Sequence, residues 1–281
     1  MMIRFRLYKD SENFFMYFWN MTRIVLIGTG NLAFYFYEQF KVNKAIDLIQ
    51  WYGRKIEKIR FAETETKITD QLSELETADL YLICVNDDQI ESLSTKIQAK
   101  GIVAHCAGAV ALDGLKGQPR AAVFYPLQTF SKEHPLQSNN LPFCIETKNP
   151  KDQSLLEELA KLLGGIPYKM NGKKRAKLHM IAVIANNFGN HLLHLCKRLC
   201  LENDLPFEIF QPLIQETYKK ALDLGPEHAQ TGPAIRNDLN SIQNHLDLLS
   251  DEHIKKLYIN LTTSIQKIHE QSQLQNSSES N

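Results

Sequence analysis

Hydrophobic patterning divides the chain into two regimes. Up to about residue 171, apolar residues come in short runs separated by stretches of helical period; beyond it only the helical period remains. Residues 23–28 (RIVLIG) are a β-branched run ending at glycine, which predicts a strand covered on both faces. A helical pattern follows through Phe40. Further strands are predicted at 46–52, 79–85, 101–105, 121–125, 143–146 and 166–170. Helical pieces at 72–77, 87–99 and 152–163 lie between them, the last stopped by Gly164-Gly165. Alternation at this spacing predicts an α/β fold with a doubly wound parallel sheet. After Asn171-Gly172 the predicted helices are 173–203, 207–224, 236–249 and 251–271.

Length supports that division. At 281 residues the chain sits where single cores stop growing, at about 250–300 residues, so two domains are expected. They are a sheet domain over 21–171 and an all-helical domain over 172–271. Residues 1–20 contain aromatic residues but no continuous apolar core, and Met21 stands just before the first strand; they read as a dispensable extension. Residues 272–281 are polar and are expected to be disordered.

Charge narrows the function. Lys+Arg and Asp+Glu both number 32, so there is no net positive field, which argues against nucleic-acid and polybasic membrane partners. No apolar run approaches the roughly 18 residues of a membrane helix. Five cysteines, an odd number scattered through apolar stretches, read as reduced thiols in a cytoplasmic protein.

The most informative motif is Gly28-Thr29-Gly30-Asn31-Leu32-Ala33, which follows the first strand and opens a helix. It is G-x-G-x-x-A, a form of the Rossmann dinucleotide fingerprint. In this reading Gly28 permits the tight turn, Gly30 lets the backbone approach a pyrophosphate, and Ala33 keeps the helix close to the strand. Backbone N–H groups of residues 28–32 then face the phosphates at a positive dipole end. The end of the second strand selects the cofactor. An NAD site places an acid about 20 residues on. Here Gln50-Trp51-Tyr52-Gly53-Arg54-Lys55 holds no acid and two cations. Arg54 can grip a 2′-phosphate bidentately, with Lys55 beside it, so NADP(H) is expected; plain solvated charges are the alternative. Val85-Asn86 and His105 end later strands, where ligands of such sheets sit, and are expected to line the nicotinamide side. A turn role for Asn86 and a structural role for His105 are the competing readings.

Candidate chemistry comes from the helical half. His179, Asn186 and Asn190 fall within roughly 40° of one another on an otherwise apolar helix. His179 is the candidate proton donor, and Asn186 and Asn190 would orient substrate; a polar seam between helices is the alternative. In PEHAQTGPAIRND (226–238), Thr231 suits an N-cap, Pro233 a first turn, and Arg236 a clamp on a substrate carboxylate. The bland reading is a capped helix with an exposed arginine. His191, His194, Cys196 and Cys200 lack metal-ligand spacing, and no metal is expected. The helix 173–203 would span about 45 Å with apolar residues on several faces, which predicts a homodimer through the helical domain.

The segments GTGNLA, HCAG, FYPLQTF, PFCIE, HMIAVIANNFGNHLL and TGPAIRND, in that order, resemble a bacterial family of predicted NADP oxidoreductases over about residues 22–270. Its members pair a Rossmann-like domain with a helical C-terminal domain. The resemblance implies NADP(H), with a deazaflavin coenzyme as a further possibility, and specifies no substrate. More distantly, the layout is similar to pyrroline-5-carboxylate reductase, ketopantoate reductase and prephenate dehydrogenase, with a helical domain like that of 6-phosphogluconate dehydrogenase. Those enzymes work between the two domains and are often dimeric. Asn186 and Asn190 resemble the N-x-x-x-N pair of ketopantoate reductase, but the lysine four residues earlier is Ala182 here, which argues against that mechanism. The placement of His179 loosely resembles that of a histidine in prephenate dehydrogenase.

These readings combine into an NADP(H)-dependent oxidoreductase that transfers a hydride to or from a small carbonyl or imine substrate at an interdomain cleft. The alternative is a non-catalytic dinucleotide-binding sensor or regulatory protein.

Overall fold

The computed structural model describes residues 21–136 and 139–279, with side chains through residue 271. The expected extension 1–20 lies outside the described residues. Strands β1 (Thr22–Ile27), β2 (Ile46–Tyr52), β3 (Lys67–Thr69), β4 (Leu80–Ile83), β5 (Ile102–His105), β6 (Ala121–Pro126), β7 (Pro142–Thr147) and β8 (Ile166–Lys169) form one sheet. Its order is β3-β2-β1-β4-β5-β6-β7-β8. The chain starts in the middle and winds outward both ways, as expected of a Rossmann-type sheet.

The parallel pairing expected throughout stops at β6. Strand β7 runs antiparallel to β6, and β8 is parallel to β7. Among the described residues no crossover helix stands between β6 and β7, and a parallel partner needs one. The short edge strand β3 was not predicted; Lys67–Thr69 holds one aliphatic residue and no legible period.

Every residue from Ile24 to Ile27 is fully buried, as a strand covered on both faces requires. Ile24 and Leu26 pack with Ala33, Phe36, Tyr37 and Phe40 of α1 (Asn31–Val42). Val25 and Ile27 pack on the opposite face with Ile90 of α2 (Asp87–Ser94). Helix α2 ends at Ser94, earlier than the predicted 99. Helix α3 (Gln153–Leu162) adds Leu156 and Leu159 to the α1 side.

The predicted helix 173–203 consists of α4 (Gly172–Ala182), a π-helical turn over Val183–Phe188, and α5 (Gly189–Glu202). After it come α6 (Gln211–Leu224), α7 (Pro226–Ala229), α8 (Leu239–Leu248) and α9 (Glu252–Glu279). The chain separates into two compact units, one up to His191 and one from Leu192. The division therefore falls about twenty residues beyond the expected boundary at 171/172. Arg175, which is 1% exposed and paired with Glu146 of β7, ties α4 to the sheet.

Two helix ends differ from expectation. Asp238, not Thr231, caps α8, its carboxylate accepting from the Ser241 amide at 3.1 Å. Aspartate is as good a cap as threonine, and Asp238 adds a bond to the Ser241 hydroxyl at 2.7 Å. Helix α9 continues to Glu279, through most of the segment expected to be disordered. That segment holds no Gly or Pro, and extending a formed helix carries no nucleation cost. Among the described residues no helix is long and apolar enough to cross a membrane.

Candidate functional site

The fingerprint turn is shaped by β1 and its two neighbours. Gly28 has φ +125°, and a Cβ there would lie 2.1 Å from the Cys84 carbonyl oxygen, so no other residue fits. The Gly28 amide donates to the Tyr52 carbonyl at 3.0 Å, and the buried Trp51 indole donates to the Gly28 carbonyl at 2.7 Å. At Gly30 a Cβ would meet nothing within 4 Å, so space is open above the turn. Helix α1 starts there without a side-chain cap, which leaves its first N–H groups to an incoming acceptor. This cradle fits a pyrophosphate.

The flanking candidates gather around the same turn. Asn31 donates to the Phe130 carbonyl at 2.9 Å, tying the fingerprint to the loop after β6. Leu32 packs against the core under α1, and Thr29 is half-buried. The Val85 side chain would stand 3.4 Å from a Cβ on Gly28. Asn86 precedes α2 in an extended conformation, is exposed, and makes no capping bond, so its amide is available at the end of β4. Arg54 and Lys55 are exposed just past β2, and an Arg54 Nη2 donates to Gln89 Oε1 at 2.8 Å.

His105 departs from expectation. It is fully buried rather than exposed to a cleft. Its sheet neighbours in register are Ile83 and Val123, so it occupies an interior strand position. Nδ1 accepts from the Ala107 amide at 3.2 Å, and Nε2 lies near the Ala111 backbone without a well-formed hydrogen bond. Burial first, and the charge of Arg175 second, push its pKa down to about 4, so it is neutral at neutral pH. A side chain held this way cannot touch a cofactor.

His179 and Tyr125 meet instead. Tyr125 lies near the carboxyl end of β6, and its Oη is 3.1 Å from His179 Nδ1. The rings cross edge to face at 5.9 Å between centroids. Gly108, just after β5, makes room: a Cβ there would lie 2.6 Å from His179 Nδ1 and 2.8 Å from Tyr125 Cζ. Burial raises the Tyr125 pKa above its ordinary value, with Cys144 and Asp87 adding to the shift, so the phenol keeps its proton. Neither Tyr125 nor Gly108 was singled out as a site residue, although FYPLQTF already put a tyrosine at a strand end.

Helix α4 is held for this contact one turn earlier. Arg175 and His179 are four residues apart, on one helix face. The Arg175 guanidinium pairs with the Glu146 carboxylate through Nη1 and donates from Nη2 to the Val110 carbonyl at 2.6 Å. Glu146 also accepts from the Gly172 amide at 3.0 Å, and Asn171 caps the helix on the Lys174 amide at 3.0 Å. Sequence reasoning missed this ion pair because its partners are 29 positions apart.

Asn186 and Asn190 do not join the pair. Asn186 lies in the π turn and Asn190 at the start of α5; both are exposed, and their side chains make no hydrogen bond within the described residues. The shared stripe with His179 assumed an unbroken α-helix, and π geometry advances less per residue. Arg236 is exposed in the second unit, ahead of α8.

Comparison with known proteins bears on this arrangement. Residues 141–265 match a family model described as a domain of unknown function, DUF2520. No curated protein matches the chain. A solved structure from Bacteroides fragilis, titled a "putative NADP oxidoreductase", is similar at 36% identity and a TM-score of 0.79, covering 88% of this chain and 98% of that one. Pyrroline-5-carboxylate reductase of Streptococcus pyogenes is similar at 11% identity and a TM-score of 0.58, covering 88% and 98%. Prephenate dehydrogenase of A. aeolicus, solved with hydroxyphenyl propionate and NAD+, is similar at 13% identity and a TM-score of 0.51, covering 92% and 89%. The last two share the fold. At 36% identity over nearly the full length of both chains, this protein belongs to the same family as the Bacteroides fragilis protein, with a DUF2520 region in its C-terminal half.

Proposed function

We propose that the protein is an NADP(H)-dependent oxidoreductase acting on a small carbonyl or imine substrate that carries a carboxylate. The observation supporting it is the Tyr125–His179 pair, 3.1 Å apart, beside strand ends of the sheet whose first strand ends in the fingerprint turn. The fingerprint turn, through the N–H groups of residues 29–32, would hold the pyrophosphate, Arg54 and Lys55 the 2′-phosphate, and Val85 and Asn86 the nicotinamide side. When bound, the dinucleotide supplies or accepts a hydride.

The chain's own residues handle the proton. As an imidazolium, His179 would donate from Nδ1 to the Tyr125 oxygen and carry its transferable proton on Nε2. The Nε2 proton can pass to a substrate oxygen or nitrogen, which leaves a neutral imidazole whose Nδ1–H stays bonded to the Tyr125 oxygen. Asn186 and Asn190, in the same unit as the pair, would orient the substrate. A second copy of the chain would cover the helical unit, where Leu201, Leu222 and Leu248 are 80–85% exposed.

The test is a titration with NADPH, NADH and a reduced deazaflavin, followed by turnover on small 2-oxo acids and cyclic imino acids. Tighter binding of NADPH with turnover of one substrate class is expected. Binding without turnover of any member would favour the dinucleotide sensor. Equal affinity for NADPH and NADH would remove the NADP assignment.

A further inference from the structure

We infer that Gln89 is a positioning residue for cofactor choice, holding Arg54 ready for the 2′-phosphate; this rests on the NADP reading above. Arg54 follows β2 and Gln89 lies in the first turn of α2, after β4. Strands β2 and β4 flank β1 in the sheet. The 2.8 Å bond from Arg54 Nη2 to Gln89 Oε1 therefore joins the two sides of β1 at the end where the fingerprint turn lies. It links residues 35 positions apart through two exposed or half-exposed side chains.

A free arginine samples many rotamers, and ordering it when ligand arrives weakens binding. An arginine already held in place loses less. Among described contacts, the Gln89 bond uses one of the five guanidinium N–H groups, and the rest stay available for two parallel bonds to a phosphate.

The chemistry of the holder matters as much as its position. The first turn of α2 offers Asp87, Asp88 and Gln89, and Arg54 bonds to the uncharged one. A carboxylate in that place would neutralise the guanidinium and repel the incoming phosphate. An amide oxygen orients the guanidinium and leaves its charge uncompensated. Gln89 thus acts through Arg54 and needs no contact with the cofactor itself.

Binding of NADPH and NADH should be measured by calorimetry for the unmodified protein, Gln89→Met, Gln89→Glu, Arg54→Ala and the double variant Arg54→Ala/Gln89→Met. Gln89→Met should weaken NADPH by roughly three- to tenfold and leave NADH within about twofold, with an unchanged thermal midpoint. Gln89→Glu should weaken NADPH by about tenfold or more. In the Arg54→Ala background, Gln89→Met should have no further effect on NADPH, because the residue it positions is gone. A preference for NADPH that both Gln89 variants keep intact would overturn the role of Gln89 while sparing the NADP reading. So would an equal Gln89→Met effect with and without Arg54. Equal NADPH and NADH affinities in the unmodified protein would instead defeat the NADP reading itself.

Discussion

His179 Nδ1 stands 3.1 Å from the Oη of Tyr125, joining helix α4 to the end of a strand 54 positions earlier in the chain. The contact has three supports: the Arg175–Glu146 pair one helical turn back, the missing Cβ of Gly108, and burial that keeps the phenol protonated. If the pair moves the proton that accompanies hydride transfer, His179→Ala should lower turnover by about 10²–10⁴-fold while cofactor affinity stays within about twofold. Gly108→Ala should mimic it, since the new methyl would occupy the space beside Nδ1. Unchanged turnover in both variants would reduce the pair to a structural contact.

Arg54→Ala should weaken NADPH by about tenfold or more and leave NADH nearly unchanged. A charge-assisted bond to a phosphate contributes about 1.5–3 kcal/mol, and 1.4 kcal/mol is a factor of ten. Parallel losses for both cofactors would place Arg54 outside 2′-phosphate recognition.

The Arg175–Glu146 pair predicts an asymmetry in stability. Arg175 is 1% exposed and Glu146 20% exposed at their side chains. Arg175→Ala leaves a half-buried carboxylate unpaired and should cost about 3–5 kcal/mol in urea unfolding. Arg175→Met combined with Glu146→Leu removes both charges and should cost markedly less. Equal losses would mean that packing, and not the charge pair, anchors α4.

His105 predicts an acid sensitivity of the sheet domain. Its folded-state pKa of about 4 lies below the unfolded value of 6.5, so the unfolded chain binds the proton first as pH falls. The stability from keeping it neutral is complete above pH 6.5 and is lost on the way down to pH 4. By pH 5 the loss amounts to about 2 kcal/mol. Denaturant midpoints at pH 7 and pH 5 should converge in His105→Gln relative to the unmodified protein. The same pH dependence in both would assign it to other groups.

A homodimer predicts a mass near twice 32.3 kDa by light scattering at low micromolar concentration. Charges placed at Leu222 and Leu248, both more than 80% exposed, should shift the protein toward monomer. A monomeric unmodified protein would mean that the chain tolerates these apolar side chains in water.

Much of the sheet was legible because its determinants are local. Ile24–Ile27 followed by G-x-G-x-x-A specifies a buried strand, a tight turn and a helix within a dozen positions, and each residue there has one strong reason. The position of Arg54 and Lys55 just past the second strand was equally readable. The antiparallel turn at β7 was not, since direction depends on whether the loop after Pro126 forms a crossover helix. His105 and His179 show the limit most clearly. Both are single histidines in apolar surroundings, and the chain alone placed both at the site. Register put His105 between Ile83 and Val123, inside the sheet, where burial makes it neutral and unreachable. An ion pair with Glu146, 29 positions away from Arg175, brought α4 down onto the sheet and set His179 on Tyr125. The sequence by itself determined which residues repeat, turn and carry charge, because those properties belong to neighbours along the chain. Which polar side chain is sealed in and which one is paired at the strand ends was decided by tertiary structure, because burial and long-range contact exist only once the sheet and α4 have packed.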